Sequence, residues 1–113
     1  MNTSKIAIPV DNGQLSNHFG HTQQFNIYKV KKNSVSGEEV LSPPCHESGQ
    51  YPGWLANMGV TDVIACSMGQ KVIALFNQKK INVFVGVTIK PPKELVLELL
   101  NGTLETSDNT CHP

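Results

Sequence analysis

The sequence predicts a three-layer α/β sandwich around a mixed sheet, and three observations predict it. The first forty or so residues hold only strand-like and turn-like segments. Beyond Pro43-Pro44, helical periodicity alternates with short, continuously apolar runs. The 113 residues suit one domain, with no internal repeat and no linker.

Lys5–Val10 reads as a first strand, with Pro9 near its end where a missing N–H is tolerated. Asp11-Asn12-Gly13 is a turn signal that opens a polar loop running through His21. Phe25–Val30 alternates as a half-buried second strand, and a third runs from Val35 to Leu41 until Pro43-Pro44 stops it. Tyr51, Trp54, Leu55 and Met58 then recur at helical spacing, with Pro52 in the first turn and Gly59 as the stop. Their stripe is read as core packing, with Trp54 and Phe76 expected to be largely buried.

Asp62–Cys66 reads as a strand covered on both faces. Ser67 and Gln70 match a capping box for a second helix that buries Val72, Ile73, Leu75 and Phe76. Ile81–Val87 reads as another buried strand. A third helix begins at Pro92 and closes at Asn101-Gly102. The order β-β-β-α-β-α-β-α gives an antiparallel meander followed by parallel crossovers, a five-stranded mixed sheet with three helices in the ribonuclease H-like arrangement. The domain is expected to span residues 1–104, with 105–113 as a polar C-terminal tail.

Composition excludes several function classes. Lys plus Arg equals Asp plus Glu at 9 each, and the nearest thing to a basic run is Lys29, Lys31 and Lys32. Without a basic stripe, no nucleic-acid partner is expected. No apolar stretch reaches the roughly 20 residues needed to span a bilayer, so no membrane partner is expected either. No signal-peptide pattern opens the chain, and three cysteines is an odd count. The expectation is a cytoplasmic protein with free thiols.

The topology sorts the candidate ligands. With a meander followed by parallel strands, the loops after the first, third and fourth strands emerge at one carboxyl edge, where open α/β sheets bind ligands. Those loops carry His18 and His21, Cys45 and His46, and Cys66-Ser67-Met68-Gly69. Imidazole and thiolate together form an N/S set suited to zinc, copper or iron–sulfur species. The start of the second helix adds backbone N–H groups and a positive dipole end, which would stabilise an anionic cluster beside Gly69. Cys66, ending a buried strand, reads as packing rather than ligand.

Ile6–Asp11, Leu15-Ser16 before His18-Phe19-Gly20, Pro43-Pro44 before a His, Ser67–Gln70, Leu75-Phe76-Asn77 and Leu100–Leu104 together resemble the dinitrogenase iron–molybdenum cofactor biosynthesis family. The likeness runs in order along nearly the whole chain. It implies a carrier or chaperone for an iron–sulfur or iron–molybdenum-type cluster, passing it between donor and acceptor proteins, as a monomer or weak homodimer. It places the family's His-Phe-Gly element on His18, Phe19 and Gly20 and its glycine-containing helix start on Met68 and Gly69. Cys66-Ser67 stands where relatives often have two glycines, and Cys111-His112 resembles a tail cysteine of some members. The expected site is therefore His18, Phe19, Gly20, His21, Cys45, His46, Ser67, Met68 and Gly69, with His18, His21, Cys45 and His46 as metal ligands.

The protein is expected not to be an enzyme. A two-metal nuclease needs clustered carboxylates, whereas Asp11 and Asp62 fall at opposite ends of the sheet. A hydrolase built on Cys45 would need its thiol and the adjacent imidazole in hydrogen-bond geometry, which neighbouring residues rarely achieve. The alternatives are a mononuclear, zinc-like metal protein or an interaction module without metal.

Overall fold

β1 (Thr3–Asp11) runs through the middle of the sheet because its neighbours supply apolar surface on both faces. Ile6, Ile8 and Val10 point to one core, while Ala7 points to the other. The computed structural model describes residues 3–17, 19, 22–43 and 50–106. Asn12 and Gly13 both take positive φ, 53° and 80°, the conformation of a two-residue primed turn. They fold the chain straight back into β2 (Gln14–Leu15), which pairs antiparallel with the end of β1. The sheet thus has six strands where five were expected. The Asn-Gly pair makes a hairpin, not only the start of a loop.

β3 (Gln24–Lys31) and β4 (Ser34–Leu41) complete the meander, joined through Lys32 and Asn33, also at positive φ. β5 (Asp62–Ile64) pairs parallel with β1, and β6 (Asn82–Phe84) parallel with β5. The order across the sheet is β4-β3-β1-β5-β6, with β2 beside β1. Pro9 lies beyond the last β1–β5 pair, Ala7 with Val63. Its carbonyl accepts the Ser16 N–H at 2.8 Å.

Helices α1 (Tyr51–Asn57) and α2 (Gln70–Gln78) cover one face, burying Tyr51, Leu55, Val72 and Phe76 against Phe25, Ile27 and Val63. α3 (Pro92–Asn101) covers the other, burying Leu95 and Val96 against Ile6, Ile8, Tyr28 and Ile64. Its helix ends at Gly102, whose φ of 73° is the left-handed cap glycine adopts without strain.

Three local expectations are corrected. β6 is an edge strand, so Val83 and Phe84 are half-buried rather than enclosed. Trp54 is mostly buried at the margin of the core, its ring 5.6 Å from Phe25, and Phe76 is fully buried, as expected. The N-cap of α2 is Gly69, with no side-chain cap bond, so Ser67 and Gln70 form no capping box. Cys66 is fully buried as expected, but it is held in a disulfide rather than free. The other two cysteines, Cys45 and Cys111, lie outside the described residues.

Candidate functional site

The two ends of the segment between β1 and β3 are tied together by its polar side chains. One Asp11 carboxylate oxygen accepts the Ser16 hydroxyl at 2.8 Å, and the other accepts the Gln23 N–H at 2.6 Å. The Thr22 hydroxyl lies 2.8 Å from the Gln24 carbonyl and 3.2 Å from that of Val10. The Leu15 N–H donates to the Lys90 carbonyl at 3.0 Å, tying this loop to the segment before α3. An aspartate preceding Asn-Gly is a recognisable turn anchor. That signal identifies Asp11 as the organiser of the loop, a role the metal-ligand reading passes over.

Phe19 is 3% exposed and its ring meets Phe25, Tyr51 and Phe76 edge-on at centroid distances of 5.3–5.6 Å. Such edge-to-face contacts exceed plain area burial in strength. Phe19 therefore anchors its loop in the core beneath α1 and α2. On the other side of position 18, the Asn17 carbonyl accepts the Ser67 hydroxyl at 2.9 Å. This bond joins the loop after β2 to the segment between β5 and α2, two of the loops expected to converge. His18, Gly20, His21, Cys45 and His46 lie outside the described residues.

Met68 is buried in the aromatic core, so its side chain packs rather than faces solvent. Gly69, Gln70 and Lys71 are exposed at the start of α2. A Cβ placed on Gly69 would meet nothing within 4 Å. The first-turn N–H groups of any helix lack intrahelical partners, and no acidic residue occupies this first turn. The arrangement suits an anionic ligand resting on backbone amides, with Lys71 adding positive charge. Among the described residues, no group of three His, Cys, Asp or Glu is placed to hold a metal ion. Cys66, being in a disulfide, has no thiolate to offer. No helix is long and apolar enough to cross a membrane among the described residues.

Comparison with known proteins gives a consistent match. The family model described as dinitrogenase iron-molybdenum cofactor matches residues 3–102. An uncharacterized protein of Methanocaldococcus jannaschii is 31% identical over 106 residues, covering 89% of each chain. Among solved structures, PH0822 superposes with a TM-score of 0.84 at 24% identity, covering 93% of this chain and 96% of that one. The apo form of the orange protein from Desulfovibrio gigas superposes with a TM-score of 0.77 at 16% identity, covering 94% of each. At those identities the two structures speak to the fold.

Proposed function

The chain belongs to the dinitrogenase iron–molybdenum cofactor family, and from that premise we propose that it is a binding protein that carries an iron–sulfur or iron–molybdenum-type cluster as cargo. It takes the cluster from a donor protein and yields it to an acceptor, without catalysing a reaction. The ligands come from His18, His21, Cys45 and His46, and the start of α2 supplies backbone donors for the cluster's negative charge.

The observation that supports this reading best is the Ser67–Asn17 hydrogen bond. It holds Asn17, the residue before His18, against the segment that opens α2. Gly69 leaves the space above that terminus open. A zinc-like mononuclear site would use the same imidazoles and thiolate but would gain less from the amides, because their contribution suits a ligand with net negative charge.

Anaerobic reconstitution with iron and sulfide, followed by desalting, absorption spectra and metal analysis, tests the reading. Wild type should retain iron and sulfide and melt higher when loaded. A ligand that binds only the folded state adds about 2.7 kcal/mol at one hundred times its dissociation constant. His18→Ala should lose most of the bound iron while its apo melting temperature stays within a few degrees of wild type. Retention of zinc without sulfide would favour the mononuclear alternative, and unchanged iron in His18→Ala would remove the site.

A further inference from the structure

At the opposite end of the sheet from those loops, the start of β1, the end of β3, the start of β4 and the turn after α1 line a shallow, open cleft of about 330 Å³. Its walls include Lys5, Lys29 and Lys31, with Ser4, Ser36 and Thr61. Sequence places Lys29 and Lys31 together; only the β1–β3 register adds Lys5, which stands directly across from Lys29. Odd-numbered positions of both strands share a face, so the three ammonium groups project from one surface. The Lys29 methylenes lie across Gly37 of β4, at ordinary van der Waals distance (3.5 Å) from where a Cβ would sit.

Like charges directly opposed across strands are unfavourable unless something neutralises them. Lys5 is partly accounted for: its ammonium donates to the Met58 carbonyl at 2.6 Å, at the end of α1. Lys29 and Lys31 are exposed, and among the described residues neither forms a salt bridge. No carboxylate lines the cleft. The nearest acid by register on this face, Glu39, stands opposite Ile27. Asp62 beside Thr61 is engaged by the Thr61 hydroxyl and the Asn82 amide. In a chain of zero net charge, this is a local surplus of cations; the Thr61 and Ser36 hydroxyls beside them already donate, to Asp62 and to the Lys29 carbonyl, which leaves the ammonium groups as the donors open to a ligand.

We propose that this cleft binds a small oxyanion, either free phosphate or the phosphate group of a small ester. Several ammonium donors on one face suit oxygens converging on one centre, and charge-assisted hydrogen bonds are the stronger kind. The site is independent of the cluster site, and its test does not involve metal.

The test is a two-dimensional amide NMR titration of the full chain at low ionic strength, with inorganic phosphate and, separately, glycerol phosphate. The expected result is saturable shifts at Ser4, Lys5, Lys29–Lys31 and Ser36, with binding at least about tenfold weaker in Lys29→Gln/Lys31→Gln. Both lysines are exposed, so that variant should keep the wild-type spectrum elsewhere. Tighter binding of phosphate identifies a free oxyanion as the ligand, and tighter binding of glycerol phosphate identifies an ester. Shifts that never saturate, that fall elsewhere, or that persist unchanged in the double variant overturn the proposal.

Discussion

Replacing Ser67 with alanine removes the hydroxyl whose proton the Asn17 carbonyl accepts, and leaves α2 untouched because Gly69 is its cap. Urea unfolding should show a loss of about 1 kcal/mol, the usual worth of one intramolecular hydrogen bond. Loading by iron and sulfide should weaken as the two loops lose their link. A loss of helicity at α2 would instead restore the capping role. Tyr28 offers a pH handle at the same scale. Burial raises its phenol above the ordinary tyrosine value, the Asn26 side chain draws it back, and Glu38 adds to the rise. A raised folded-state pKa means the folded protein holds its proton longer than the unfolded chain. The associated stability is complete below the unfolded value near 10 and is lost as pH rises through the folded one. Denaturant midpoints measured from about pH 9 to about pH 11 should therefore fall in wild type, and less steeply in Tyr28→Phe.

Among the elements, the start of α2 bears most directly on the proposed site. Gly69 takes ordinary φ and ψ of −63° and 147°, and its Cβ direction is open. Gly69→Ala should cost the apo protein under about 1 kcal/mol. If a cluster rests against that backbone, the added methyl should reduce iron retained after desalting. Equal retention would move the cargo away from the helix terminus. Elements with strong local signals were legible in the sequence: the third helix from Pro92 to Gly102, the alternation of Phe25–Val30, and the antiparallel-then-parallel order. What local pattern does not encode is which strand ends at an edge. Ile81–Val87 is as apolar as Asp62–Cys66, yet only the latter lies between two strands. Likewise Ser67 three residues before Gln70 satisfies a capping template, but the hydroxyl is drawn to a carbonyl 50 residues away in sequence. The convergence of the loops after β2 and β5 was readable from topology. The anchoring of Phe19 was not, because His-Phe-Gly reads first as a ligand motif, whereas three aromatic rings, two of them far away in sequence, decide where Phe19 goes.

For the molecule as a whole, the proposed cargo site and the proposed oxyanion cleft lie at opposite ends of one sheet, the first on loops at the carboxyl end and the second on lysines at the other. β1 connects them, pairing with β2, β3 and β5 and contributing to both cores. Its sides differ. Beyond β3 the sheet ends on β4, eight residues long with a burial pattern that leaves most of it exposed, whereas the other border, β6, is only three residues long. Along β4, Val40 is 56% exposed, and Glu38 and Glu39 place a carboxylate on each face of the strand. Charges on an open border strand discourage it from recruiting a copy of itself. A chain with no net charge has little long-range repulsion to keep its molecules apart. Pairing of one β4 edge with another is thus opposed by those two glutamates, and salt, which screens surface charge, is the condition under which such pairing becomes the rival to a dispersed solution.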